Sequence, residues 1–165
     1  MNFRQATSRD LPTIFVILED AIRRLGEAGV DQWQHGYPNR ARIEADVKEG
    51  IGYVIEQADE VLAYGAVLFD GEPSYRTIEG AWLTEQENYV VVHRMCVAEK
   101  VLGQGFGRCF MQAVERLACG RVSSFRVDTH ADNRVMQSLL PRLGFTRCGI
   151  IYFESRHLIA FEKIL

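Results

Sequence analysis

The sequence predicts a mixed α/β (α+β) fold: a single, mostly antiparallel sheet flanked by helices, in one domain over residues 1–165. Three observations lead there. Apolar residues recur with the 3.6-residue helical period over residues 11–25 and again over 105–119. Between these segments, from residue 51, the period changes to 2, as in half-buried strands. Hydrophobic residues make up 47% of the chain and charged residues 25%, which is ordinary globular usage. A chain of this length buries about 70% of the surface it exposes unfolded, enough for a core without disulfides or metal.

The elements follow in order. Residues 2–6 read as a short strand. Thr7 or Ser8 is placed to cap the helix that follows. Its apolar stripe is Leu11, Ile14, Phe15, Leu18, Ala21, Ile22 and Leu25, with Gly26 and Gly29 at its end. Residues 30–39 form an aromatic-rich loop holding Trp33, His35, Tyr37 and Pro38. Residues 40–49 read as a short polar helix stopped by Gly50. Residues 51–57 and 61–69 are strands joined by a tight turn at Ala58-Asp59-Glu60, and residues 70–73 are loop. Residues 89–97 form a β-branched strand. Residues 105–119 are helical, with Phe106, Phe110, Ala113, Val114 and Leu117 on one face. Residues 125–129 form a strand and 133–143 a helix interrupted late by Pro141. Residues 145–153 and 157–164 are closing strands. The order β-α-α-β-β-β-α-β-α-β-β places antiparallel strands first and a crossover around residues 97–125.

Charge and cysteine usage narrow the function. Lys plus Arg is 19 and Asp plus Glu is 22, a net charge of −3. A mildly acidic chain with no block of like charge argues against nucleic acid or an anionic membrane as the main partner. Cys96, Cys109, Cys119 and Cys148 match no zinc or redox spacing, and His35, His93, His130 and His157 form no i,i+4 pair. No metal is expected. No apolar N-terminal segment or spanning run is present, so the expectation is a reduced, cytoplasmic protein.

The sharpest feature is Leu102-Gly103-Gln104-Gly105-Phe106-Gly107-Arg108, between a buried strand and an amphipathic helix. Alternate glycines let backbone N–H groups converge on an anion, and the helix N-terminus adds partial positive charge. No acidic residue occurs from Val101 to Val114. A Walker A loop would need Lys after the glycines, and a Rossmann fingerprint would need glycine at Arg108.

With these residues the chain resembles the GNAT-type N-acetyltransferases, in an uncharacterised bacterial subgroup. Val91-Val92-His93-Arg94-Met95-Cys96-Val97 followed by the glycine loop is similar to the family's motif A. Asp128-Thr129-His130-Ala131-Asp132-Asn133 with Leu143-Gly144-Phe145 is similar to motif B, and Phe3-Arg4-Gln5-Ala6-Thr7 to the usual opening. The resemblance implies a GNAT-like acyl-CoA N-acyltransferase fold with a splayed sheet, and acetyl-CoA (coenzyme A) as cofactor. It implies that Met95, Cys96 and Val97 pair with the pantetheine arm. Gly103, Gln104, Gly105, Phe106, Gly107 and Arg108 would hold the pyrophosphate. Asn133, with Met136, would contact the pantetheine. Leu102 stands where the family has Arg or Gln, which removes a side-chain contact and leaves the backbone nest.

The implied activity is acetyl transfer from acetyl-CoA to a primary amine, of a small molecule, by direct attack on the thioester. The alternative is an acyl-CoA-binding sensor without turnover, and acetylation of a protein amine is a third option. An amine of pKa about 10.4 must lose a proton before attack. Candidate bases are His130, His93 and Glu79, with His35 of the aromatic loop as a fourth, each set against a structural role; Asp128 is expected to orient a neighbour or cap a turn. A backbone N–H near Met95 to Val97 is the expected oxyanion donor. Many family members place Tyr seven residues after the motif B Asn as general acid. Here that position is Leu140, and Leu140→Tyr is expected to raise turnover. Its absence costs roughly 2 kcal/mol at pH 7 for a thiol of pKa about 8.5. Trp33, His35, Tyr37, Trp82 and Tyr89 are the candidate acceptor wall, against the reading that Trp33 and Tyr37 only staple the loop. The resemblance also makes a homodimer an expectation.

Overall fold

The computed structural model describes residues 1–85, 88–154 and 156–165. In chain order the elements are β1 (Asn2–Gln5), α1 (Leu11–Glu27), α2 (Arg40–Lys48), β2 (Gly52–Gln57), β3 (Glu60–Leu68), β4 (Ile78–Gly80), β5 (Tyr89–Val97), α3 (Phe106–Ala118), β6 (Ser124–His130), α4 (Arg134–Arg142), β7 (Thr146–Phe153) and β8 (Arg156–Ile164). The architecture is mixed α/β, with mostly antiparallel strands. The described residues form two compact units: Met1–Val67 with Arg94–Ala113, and Leu68–His93 with Val114–Leu165.

In the first unit β1 pairs antiparallel with β2, and β2 with β3. The β2–β3 turn places both Ala58 (φ +50) and Asp59 (φ +61) in the left-handed region, as a two-residue hairpin of matching twist demands. Helix α1 starts behind a short 3-10 turn at Ser8–Asp10. Asp10 accepts the Thr7 amide at 2.7 Å and the Thr7 hydroxyl at 3.0 Å. It buries Ile14, Ile17, Leu18 and Ala21; Ile17 is an addition to the predicted stripe. Helix α2 buries only Ile43 and Asp46. Gly65 matters for packing: a Cβ there would lie 2.7 Å from Phe110 Cζ, so α3 seats its Phe110 ring directly on β3. Phe110 also meets Phe3 edge-on at 5.3 Å.

In the second unit β6 pairs antiparallel with β8 along its whole length, β8 with β7, and β7 with β4. The first residues of β5 pair with β6 in parallel, Tyr89 with Ser124 through Val91 with Arg126. Parallel neighbours need a crossover, which α3 supplies. The core gathers Tyr75, Tyr89, Val91, Ile151 and Ala160. Fully buried Glu162 accepts from Ser124 Oγ (2.6 Å), Thr84 Oγ1 (2.7 Å) and Arg126 Nε (2.9 Å). The Arg126 guanidinium lies 4.4 Å from the Trp82 ring centroid and 4.1 Å from that of Tyr89. This ionic knot fixes the segment bearing Trp82. The short strand β4 is absent from the predicted order, because three residues ending at a glycine with φ +127 show no period.

Candidate active site

The glycine loop is built as an N–H-rich concavity. Gly103 (φ +74) and Gly105 (φ +86) are left-handed, and a Cβ on either would meet nothing within 4 Å. Glycine is thus required by conformation, and the space above it is open. The Cys109 amide donates to the Gly105 carbonyl at 2.9 Å, which makes Gly105 the N-cap of α3. The amides of Phe106, Gly107 and Arg108 lie in the first turn and have no intrahelical acceptor, and a glycine at the N-cap has no side chain to offer them. The helix dipole adds positive potential there. Gln104 turns its amide away, onto the Lys100 carbonyl at 3.0 Å. Arg108 is exposed and makes no ion pair among the described residues. Leu102 is 47% exposed.

Upstream, β5 is kinked. Arg94 has φ +56, and among the described residues it is the non-glycine residue that is left-handed inside a strand. Such a conformation costs about 1–3 kcal/mol and survives only where surroundings over-determine it. Here the surroundings are Asp46 and Tyr37. Arg94 Nε donates to Asp46 Oδ2 at 2.8 Å, Nη2 to Oδ1 at 2.9 Å, and Nη1 to the Tyr37 hydroxyl at 2.7 Å. Asp46, fully buried, also accepts from Arg42 Nε and the Tyr64 hydroxyl. Beyond the kink Met95 and Val97 are half-buried and Cys96 is buried. Burial pushes the Cys96 thiol up to about 12, so it is a poor nucleophile at neutral pH.

In the second unit a polar cluster surrounds His93. Its Nε2 is 2.9 Å from Glu72 Oε2, and its Nδ1 is 3.9 Å from Asp128 Oδ2. Glu72 also accepts from the Ser74 amide and hydroxyl, at 3.1 and 2.8 Å. The His93 hydrogen bond, opposed by burial and helped by Ser74, holds the Glu72 carboxyl down at about 2. An ionised carboxylate only accepts, so Nε2 carries the proton in the neutral ring and Nδ1 presents a lone pair. Asp128 takes a 2.7 Å bond from the Tyr75 hydroxyl; its burial raises its pKa, against the pull of His93. Tyr89 accepts the Glu72 amide at 3.2 Å, and Trp82 Nε1 donates to the Tyr75 carbonyl at 2.9 Å. His93, Trp82 and Tyr89, read separately from the sequence, therefore converge on Tyr75. Glu72 and Tyr75 were not foreseen; the only trace of Glu72 was its place in a Gly-Pro loop.

The other predicted residues stand apart. No hydrogen bond or ion pair among the described residues joins His130 or Glu79 to the His93 cluster. His130 Nδ1 accepts the Asp132 amide at 3.2 Å. Glu79 is exposed on β4 and accepts from the Tyr152 hydroxyl at 2.6 Å. His35 is exposed and bonded to Asp31 at 2.8 Å. Trp33 is half-buried with φ +68. Tyr37, 37% exposed, accepts a hydrogen bond from Arg94 Nη1 at 2.7 Å.

The model of the acetyltransferase (GNAT) family matches residues 16–145. The chain belongs to the GNAT acetyltransferase family. No curated relative matches the sequence. Among solved structures it is similar to a GNAT-family acetyltransferase from Streptococcus agalactiae. That similarity has 30% identity and a TM-score of 0.92, and covers 99% of this chain and 95% of that one. A putative acetyltransferase from Staphylococcus aureus shares the fold at 21% identity and TM-score 0.74, with 99% of each chain covered. So does a ribosomal-protein-alanine N-acetyltransferase from Brucella melitensis, at 21% identity and TM-score 0.69, with 100% of each covered.

GNAT acetyltransferases use acetyl-CoA, and the loop of this acetyltransferase fits such a group. It offers first-turn amides of α3, open space over Gly103 and Gly105, and an exposed Arg108 for a pyrophosphate. In α4, Asn133 is the N-cap and its Oδ1 accepts the Met136 amide at 3.1 Å. Leu140 is completely buried. The expected benefit of Leu140→Tyr is therefore withdrawn, since a phenol there overpacks the core.

Proposed function

We propose that this GNAT acetyltransferase acetylates a primary amine of a small molecule, with His93 as general base and acetyl-CoA as donor. When bound, acetyl-CoA supplies an acetyl group activated as a thioester. Gly103, Gly105, Phe106, Gly107 and Arg108 bind its pyrophosphate through main-chain amides and one guanidinium. The backbone from Met95 to Val97, freed by the kink at Arg94, orients the acyl arm and offers an N–H to developing negative charge. His93 Nδ1 removes the proton from the amine. Glu72 is a positioning residue, holding Nε2–H so that Nδ1 is the free nitrogen, and Asp128 stabilises the imidazolium that forms.

The observation that carries this reading is the 2.9 Å contact between His93 and an ionised Glu72, one residue before the kinked strand segment. His130 and Glu79 lack such support. Leu140 provides no proton for a departing thiol, a feature shared with the reading of a CoA-binding sensor. Free thiol release from acetyl-CoA, measured across an amine panel with CoA binding followed by calorimetry, separates the two. Amine-dependent release supports the enzyme. CoA binding with no amine-dependent release overturns it in favour of the sensor.

A further inference from the structure

Helix α2 is an odd choice for packing. It is short and polar, and besides Ile43 it buries a carboxylate, Asp46. A buried ion pair is seldom better for stability than apolar residues of the same volume, so its retention calls for a positional role. Asp46 has one. Its two oxygens take the Nε and Nη2 of Arg94 in a fork, at 2.8 and 2.9 Å. Arg94 is the left-handed residue inside β5. The remaining terminal nitrogen of that guanidinium donates to Tyr37 at 2.7 Å, in the aromatic loop that joins α1 to α2.

We propose that Asp46 is a positioning residue for acyl transfer: through Arg94 it holds the kink of β5, and through the Arg94–Tyr37 bond it ties the loop of residues 30–39 to the same strand. This rests on the acetyl-transfer reading, which gives the kink its purpose. Without the clamp a non-glycine residue at position 94 relaxes toward extended geometry. In a strand, that one-residue change re-aims every following side chain and amide. The amides from Met95 to Val97 then leave the positions from which they act on the acyl group. The glycine loop is untouched, so the contacts it offers a pyrophosphate survive, while the acyl arm loses its register and turnover falls. The tie to Tyr37 makes the loop and the kink open together.

Glycine enters the left-handed region at no steric cost, whereas alanine does not. Arg94→Gly and Arg94→Ala both delete the ion pair, and in each Asp46 keeps its ion pair with Arg42 and the hydrogen bond from Tyr64. Only the kink distinguishes them. Amide hydrogen exchange of residues 94–98 is expected to be near wild type in Arg94→Gly and about tenfold faster in Arg94→Ala and Asp46→Asn. The kcat should follow the same order, falling on the order of tenfold to a hundredfold in Arg94→Ala, while the acetyl-CoA Kd changes by much less than kcat because the glycine loop is intact. Tyr37→Phe should speed exchange in residues 30–39 and 94–98 together. Equal exchange in Arg94→Ala and Arg94→Gly, or slower exchange in the alanine variant, overturns the clamp. Unchanged exchange in Tyr37→Phe overturns the loop tie. If Asp46→Asn fails to fold, the Arg94 pair still decides. A wild type that releases no thiol with any amine sinks the acetyl-transfer reading, and the exchange data judge the clamp by itself.

Discussion

Two neighbouring residues of β5 sit in polar clusters of opposite character. Arg94 meets a buried carboxylate that a second guanidinium also serves, so Asp46 is held by groups that stay charged at every ordinary pH. His93 meets Glu72 and Asp128, two carboxylates and an ionisable ring. The first cluster holds geometry and has no proton to give. The second places the His93 Nδ1 at 3.9 Å from a buried acid that already takes the Tyr75 hydroxyl. In the proposed mechanism one strand separates the work of holding shape from the work of moving a proton, and residue type decides which is which.

The strongest way to break that contrast is His93→Gln. It should lower kcat/KM by about 10²- to 10⁴-fold, the usual worth of a general base, with CoA affinity unchanged by calorimetry. An activity within twofold of wild type would remove His93 from the mechanism. Glu72→Gln should cost on the order of tenfold in kcat, a fraction of the base's own contribution. It also has a stability signature. The Glu72 carboxyl is lowered from 4.5 to about 2. It therefore stabilises the fold above the unfolded value, and that stability fades as pH falls through this window. The wild-type Tm should drop more steeply between pH 4.5 and 2 than that of Glu72→Gln, by scanning fluorimetry.

Asp128→Asn sharpens the comparison from the other side. Burial raises the Asp128 pKa, so keeping it ionised at neutral pH costs the folded state some stability. The variant should match or exceed the wild-type Tm at pH 7 and lose that advantage as pH falls, while kcat drops. On the clamp side, Arg42→Gln removes one guanidinium from Asp46 and should cost roughly 1–2 kcal/mol. A pH profile of kcat that moves in this variant would mean the two clusters are not separate in role. The smallest effect is expected for Cys96→Ala, with kcat within about twofold of wild type, because a thiol pushed up to about 12 takes no part.

The glycine loop was legible because its signals are local. Gly103, Gly105 and the first turn of α3 lie within a few residues, and both the left-handed φ values and the missing cap follow from glycine itself. The His93 cluster was legible only in pieces. His93 and Glu72 are 21 residues apart, Tyr75 and Asp128 are 53 apart, and Arg94 and Asp46 are 48 apart. No period or spacing rule reaches that far. Glu72 looked like a loop carboxylate, and Asp46 like one charge on a polar helix. His130 attracted attention because a strand-end histidine near Asp128 has the right chemistry, yet its Nδ1 closes a local turn with Asp132.

The α/β order, the two amphipathic stripes and the glycine turn into α3 could be read from the chain, since each depends on residues near one another in it. The three-dimensional packing was needed to show that His93 meets two carboxylates from distant segments, why α2 buries a carboxylate, and that β5 turns left-handed at Arg94. Those depend on which distant side chains meet in a low-dielectric interior, where an unpaired charge is too costly to keep and each partner must be found through the fold.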